Sequence, residues 1–307
     1  MNPALAVSPD LSWTAASARD QAAIKAFLTV HEAWACGCSD KVRTARLGKR
    51  FLTGQKTLLA MGRDRNGQLD SLVLFSASSL VFPVLSPLAL AQPASLESLR
   101  AFAGGPGGYG RVRPHSCIGL RDQVQALETA FGWRPQVGVN YFAMAQGDPE
   151  ELLTVAAAPR PERRLPGLSV RLAVATDLAA LLPLACAYDR EEVLTANHAF
   201  NAEWCRAAQV NSLRHFTVIL AELDGRAIGR VQTNAVGYSR EQIGGVYVAP
   251  TWRGRGVARA MMSLMLAELG RRGRLASLFV KRRNQVAIGL YESLGFRKVA
   301  DYRVDYF

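Results

Sequence analysis

The 307-residue chain holds only five cysteines, too few for a disulfide framework in a protein of this length. Cys36 and Cys38 lie one residue apart with His31 upstream, but no second ligand pair follows at finger-like spacing, so no metal site is expected. Cys117, Cys186 and Cys205 stand in apolar surroundings and read as small core residues. The odd number of thiols fits a reducing compartment, and Met1 to Trp13 lacks a basic segment followed by an apolar run, so a cytoplasmic location is expected. A long uninterrupted hydrophobic run is also missing. The charge-free stretch Ser71 to Ser95 is broken by Ser76, Ser78, Ser79, Pro83, Ser86 and Pro87, which predicts two buried strands and no membrane span. Acidic residues are in deficit: 37 basic against 25 acidic side chains leave a net charge of +12. Residues 1–160 contribute 16 − 12 = +4 and residues 161–307 contribute 21 − 13 = +8, so an anionic ligand is sought in the back half. Arg271, Arg272 and Arg274, and then Lys281, Arg282 and Arg283, are not interleaved with aromatic residues, which argues against nucleic acid as the partner.

What is present is a globular composition, 49% hydrophobic and 20% charged, in a chain long enough for two domains. Gln146 to Leu168, with Pro149, Pro159, Pro161 and Pro166 and no apolar period, reads as a linker. The boundary is placed at Pro161, giving domains of residues 1–160 and 161–307. The back half alternates strands and helices. A strand over Leu168–Val174 is followed by a helix capped by Asp177 and by a second helix near Phe200–Leu213. Strands at Phe216–Ala221, Ala227–Thr233 and Gln242–Val248 come next, the first two joined through Asp224-Gly225. A helix over Val257–Leu269, a short apolar strand over Leu275–Val280, and a helix over Asn284–Leu294 closed by Gly295 complete the pattern before two final strands. The front half echoes it loosely. Asn66-Gly67 supplies a turn, and Asp122–Phe131 followed by Gly132-Trp133-Arg134 parallels Asn284–Leu294 followed by Gly295-Phe296-Arg297. In that echo Glu128 stands opposite Tyr291.

The informative segment is Val246-Tyr247-Val248-Ala249-Pro250-Thr251-Trp252-Arg253-Gly254-Arg255-Gly256-Val257-Ala258. A strand ends at Val248, a short loop follows, and a helix opens. First-turn N–H groups of a helix lack intrahelical partners, and the helix dipole adds positive charge there, so the spot favours an anion. Gly254 and Gly256 let the backbone approach a diphosphate without a Cβ in the way, and Arg253, Arg255 and Arg259 add charge. No Gly-Lys-Ser/Thr follows, and Arg259 takes the third glycine position of a dinucleotide fingerprint, so neither competing glycine-rich loop fits.

The segment resembles the acyl-CoA signature of the GCN5-related N-acetyltransferase (GNAT) family, Gln/Arg-x-x-Gly-x-Gly/Ala, with Arg253, Gly256 and Ala258 at its fixed positions. Asn284, Ala287, Leu290-Tyr291 and Gly295-Phe296 match a second family segment in order. The resemblance covers about Leu168 to Phe307. It implies an α/β (α+β) fold of tandem GNAT-like domains. Each would be a mixed, mostly antiparallel twisted sheet flanked by helices, with a splayed parallel strand pair in the C-terminal domain. The front half carries Leu88-Ala89-Leu90-Ala91 where the loop would fall and reads as a degenerate copy without a cofactor motif.

For function, the resemblance implies an acyl-CoA N-acyltransferase that moves an acetyl group from acetyl-CoA to a primary amine of a small molecule or protein by direct attack. Main-chain groups of Val246, Tyr247 and Val248 would meet the pantetheine and thioester. Gly254, Arg255, Gly256, Val257, Ala258 and Arg259, with Arg253, would hold the pyrophosphate, and Asn284 would contact the pantetheine arm or cap its helix. Tyr291 is the expected proton donor to the leaving thiolate. Many family members place a Glu base on the strand before the loop, where this chain has Gln242, so the base is left among Glu241, Glu191 and Glu192. Acceptor choice is expected from Tyr188 to Phe200 and from the last strands, near Tyr302 and Tyr306. The alternative, favoured by Gln242 and the motif-less front half, is a non-catalytic acyl-CoA-binding regulatory protein. Self-association is left open, with the front half as an interaction domain.

Overall fold

The computed structural model describes residues 11–44, 57–105, 114–147, 165–193 and 200–307. Most of the expected linker, Pro161 included, and residues 194–199 of the expected acceptor segment lie outside the described residues. The elements in chain order begin with β1 (Ser12–Ala15), α1 (Gln21–Thr44), β2 (Leu58–Arg63), β3 (Leu69–Phe75) and β4 (Leu80–Val84). Next come α2 (Pro87–Ala91), α3 (Pro93–Ala103), β5 (Ser116–Leu120), α4 (Arg121–Phe131), β6 (Val137–Gln146), β7 (Leu168–Leu172), α5 (Leu178–Tyr188) and α6 (Ala202–His215). The chain ends with β8 (Val218–Leu223), β9 (Arg226–Val236), β10 (Arg240–Val248), α7 (Val257–Arg271), β11 (Leu275–Lys281), α8 (Gln285–Glu292) and β12 (Phe296–Tyr306).

Two compact units form. The first is Met1–Phe142 with Ala300–Phe307, and the second is Ala143–Val299. In the first unit the strands run β1-β2-β3-β4-β5-β12. Pairing is antiparallel except between β4 and β5, where Leu80 faces Ser116. The Asp64-to-Gly67 turn joins β2 to β3 because Gly67 takes φ +77° and the Asp64 carboxylate accepts from the N–H groups of Asn66 and Gln68 at 2.9 and 2.8 Å. The charge-free stretch forms β3 and β4, whose Val73, Phe75 and Val81 enter a core with Leu99, Val124, Leu127 and Phe131. At the start of α2 the Ser86 hydroxyl donates to Asp70 at 2.5 Å and accepts from the Ala89 N–H at 3.1 Å. A built-in side chain thus occupies the helix start that a phosphate loop would leave open.

In the second unit the order is β6-β11-β10-β9-β8-β7, with β10 and β11 parallel. Ala143–Gln146 of β6 belong here: the Gln146 Oε1 accepts from the Ala276 N–H at 3.3 Å, and its carbonyl accepts from Arg240 at 2.8 Å. Asp224 and Gly225, at φ +49° and +75°, make the tight turn between β8 and β9. Helix α7 buries Val257, Met261, Met262, Met265, Leu266 and Leu269, while Leu264, which the spacing also puts on the buried side, is only partly buried. Asp177 does not cap α5 with its side chain; its carboxylate accepts from Arg171 twice, at 2.8 Å each, and from the Val174 N–H. Among the described residues no helix is long and apolar enough to cross a membrane.

Candidate functional site

The parallel pair β10–β11 is hydrogen-bonded only from Arg240–Leu275 to Ile243–Leu278, although β10 continues to Val248 and β11 to Lys281. The strands therefore part after Ile243. On the other edge of β10 the register against β9 slips between Gly244, opposite Gln232, and Tyr247, opposite Arg230. Three residues of β10 span two of β9, which is a β-bulge with one residue left over. The Gly-Gly pair explains why it forms here. Gly245 sits at φ +60°, and a Cβ on Gly244 would collide with the Asn234 amide. The splay takes the β11 side of β10 beyond Ile243 out of ladder pairing, while Tyr247 and Val248 stay paired with Arg230 and Gly229 of β9.

The strand then enters a single tight turn, Pro250–Trp252, held by the Trp252 N–H to Ala249 O bond of 2.8 Å. Gly254 and Gly256 adopt φ of +74° and +81°, and Gly256 is the N-cap of α7 with no side chain bonding its first turn. The first intrahelical bond runs from the Ala260 N–H to the Gly256 carbonyl at 3.0 Å, so the N–H groups of Val257, Ala258 and Arg259 have no intrahelical acceptor. A Cβ on Gly254 would meet nothing within 4 Å, so the loop before these donors borders open space. The arginines divide their work. Arg255 is exposed, 5.1 Å above the Trp252 ring, and Arg259 bonds the Ser293 hydroxyl. Arg253 acts as a strut: its Nε donates to the Val248 carbonyl at 2.9 Å and its Nη2 to Glu191 at 2.7 Å.

Glu191 also accepts from the Tyr247 hydroxyl at 2.8 Å. Although partial burial opposes it, these two donors hold the Glu191 carboxyl below its usual range, so it is ionised and occupied. Glu192, next in the same π-helical turn Asp189–Val193, pairs with Lys281 at 2.9 Å at the end of β11. Tyr291, on α8, is buried against Phe296 with ring centroids 6.0 Å apart. Burial pushes its phenol well above the ordinary value, with Tyr188 and Glu192 as the charges it feels. Asn284 caps α8, its side-chain oxygen accepting from the Ala287 N–H at 3.1 Å. Glu241 is 3% exposed and pairs with Arg272, at the C-terminal end of α7, at 3.3 Å. It begins β10, at the strand end opposite the loop, and is thus tied to the far end of the unit. Gln242 donates to Asn234 at 2.8 Å. Tyr302 is buried in the first unit, paired with Leu120, so it is a core residue there.

The structure thus brings together the loop, the splay, Asn284, Tyr291 and Glu192, and sends Glu241 elsewhere. Sequence reasoning missed Lys281 as the partner of Glu192, and Arg230, a charge inside the apolar run Ile228-Gly229-Arg230-Val231. That interruption was the available signal. Among the described residues no group of three or more His, Cys, Asp or Glu is placed to hold a metal ion.

Residues 179–296 match the sequence profile of the acetyltransferase (GNAT) family. No curated protein matches the chain in sequence. Among solved structures, a Drosophila protein is 12% identical, covers 98% of this chain and 99% of its own, and gives a TM-score of 0.64. A GCN5-related N-acetyltransferase from Sphaerobacter thermophilus is 18% identical over 97% of this chain and 95% of its own, with a TM-score of 0.55. A tandem GNAT protein from the clavulanic acid biosynthesis pathway is 12% identical over 96% of this chain and 97% of its own, with a TM-score of 0.54. At these identities the likeness is one of fold. Residues 179–296 are therefore a domain of the acetyltransferase (GNAT) family, set in a chain that has the fold of tandem GNAT proteins.

Proposed function

We propose that the chain is an acetyl-CoA-dependent N-acetyltransferase acting on a primary amine in a ternary complex, working in a reducing, cytoplasmic setting. The observation that carries this reading is the parting of β10 from β11 after Ile243, followed within one short loop by a helix start whose N–H groups no side chain caps. The pyrophosphate is taken by the N–H groups of Val257 to Arg259, with Gly254 and Gly256 giving clearance and Arg255 adding charge. The pantetheine lies along Val246 to Val248, and an N–H freed at the bulge polarises the thioester carbonyl. The Asn284 side-chain amide nitrogen remains for the pantetheine arm while its oxygen caps α8.

An alkylammonium has a pKa of about 10.4 and must shed a proton before it attacks. Glu192 takes that proton in this reading: among the described residues it holds a single ion pair, to Lys281, whereas Glu191 is held by two donors and Glu241 is tied to Arg272 at the other end of β10. Tyr291 is raised by burial and so keeps its proton at neutral pH, as a donor to the departing thiolate requires. Calorimetry with acetyl-CoA, followed by thiol-release assays across an amine panel, tests the proposal. Gly256→Glu, which puts a carboxylate where the phosphate belongs, should abolish binding in folded protein. Binding without thiol release from any amine would favour the regulatory reading, to which Gln242 in the usual base position points.

A further inference from the structure

Arg230, in the middle of β9, is 4% exposed. It stands opposite Tyr247 on β10 and Leu220 on β8, and directly opposed residues share a sheet face. That face carries the cluster of Leu181, Leu184, Leu220 and Tyr247, under α5. The guanidinium bonds a neutral group, the Gln232 side-chain oxygen, and its Nε has no partner. Among the described residues no carboxylate pairs with it; Asp189 and Tyr188 act on it through space, while desolvation pulls its pKa down. A buried cation with no carboxylate in ion-pair contact is a costly arrangement, and such costs concentrate where a ligand completes the pairing.

The position says which ligand. A Cβ on Gly245 would lie 3.1 Å from Arg230 Nη2, so the guanidinium rests against the bulge where β10 leaves β11. The Tyr188 hydroxyl feels the Gly245 backbone at the same place. If the thioester reacts at this bulge, the missing negative charge lies beside the attacking nitrogen.

We propose that Arg230 selects the acceptor by binding the carboxylate of a small amino acid whose own amine is acetylated. This rests on the transferase reading above. A guanidinium takes a carboxylate through two parallel N–H donors, which would also orient the neighbouring amine. In the transfer, the amine nitrogen bonds to the thioester carbon and the carbon–sulfur bond breaks. The nitrogen gives up its ammonium proton before attack and a second proton as the amide forms; one passes to solvent and the other to the leaving CoA thiolate. The product is an N-acetyl amino acid. Long polyamines and lysine side chains of proteins carry no carboxylate near the reacting amine and are disfavoured.

The test compares each of a set of L-amino acids with its amide and its decarboxylated amine on the wild-type protein. The readouts are thiol release and calorimetric binding to the CoA-saturated protein. We expect kcat/KM for the free acid to exceed that for its amide by about 100-fold. Arg230→Met should erase that ratio while leaving acetyl-CoA affinity within about 3-fold, and Arg230→Lys should restore part of it. Should Arg230→Met fail to fold, the acid-to-amide ratio of the wild type decides alone. Equal or faster turnover of amides and plain amines overturns the inference and leaves the transferase reading standing. Arg230-dependent binding of amino acids without thiol release sinks the transferase reading and keeps the carboxylate site. Absence of both binding and turnover of amino acids overturns the inference.

Discussion

At the scale of single residues, the two positions that the sequence echo pairs, Tyr291 and Glu128, carry different chemistry. Tyr291 ends buried beside Glu192, a neutral phenol that can lend a proton; replacing it with Phe should lower kcat about 100-fold with acetyl-CoA binding unchanged, as rapid-quench and calorimetric measurements would show. Its counterpart Glu128 faces another acid. Glu128 Oε1 and Asp305 Oδ1 are both buried with no donor, while the other Asp305 oxygen accepts from Arg303 at 2.6 Å. Two such oxygens can meet only by sharing a proton. Burial and Asp305 push the Glu128 carboxyl up from 4.5 to about 8. The folded state then holds a proton that the unfolded chain releases, so this group's share of stability is intact below pH 4.5 and drains away as pH rises toward 8. Melting temperature measured across that window should fall for the wild type. In Glu128→Gln, where an amide donor replaces the shared proton, the slope should flatten.

At the scale of elements, the loop and the bulge both depend on glycine, for different reasons. Gly254 has open space around a would-be Cβ, so Gly254→Ala carries only the strain of φ +74°, about 1–2 kcal/mol. Gly245→Ala adds to a similar strain a contact of 3.1 Å with Arg230, which is itself held in place. Thermal unfolding should therefore rank Gly245→Ala as the more damaging of the two. If Gly254→Ala melts lower, the bulge is softer than its contacts indicate. Arg253 belongs to the same scale, because it ties the turn at Val248 to the π-helical turn at Glu191. Its guanidinium is nearly half exposed, so as a strut it adds little to stability.

At the scale of the whole molecule, the compact units do not follow the chain halves. Ala300–Phe307 complete the first unit, where Tyr302 to Tyr306 pair with Leu120 to Ser116 and Phe307 packs on Trp133 at 5.9 Å. Ala143–Gln146 complete the second, beside β11. A chain ending at Val299 should lose the first unit and keep the loop. Limited proteolysis would then cut early within residues 11–142 while acetyl-CoA still protects the rest. A fragment of residues 161–307 lacks Gln146 and leaves an unpaired edge on β11, so gel filtration should find it aggregated. A monomeric, fully folded fragment would contradict the role given to Ala143–Gln146.

The glycine turn that opens α7, the buried face of α7, the capping asparagine and the lack of such a turn after β4 in the front half were all legible in the sequence. Each depends on residues within about a dozen positions: a glycine's φ, an uncapped helix start, a 3.6-residue period. Tertiary structure alone decided where β10 parts from β11, that Glu192 faces Lys281 while Glu241 faces Arg272, that Arg230 is buried with no carboxylate in ion-pair contact among the described residues, and which unit the last strand completes. Those outcomes are contacts between residues far apart in the chain, and strand register, on which each of them depends, is set by pairing and burial that no local pattern encodes.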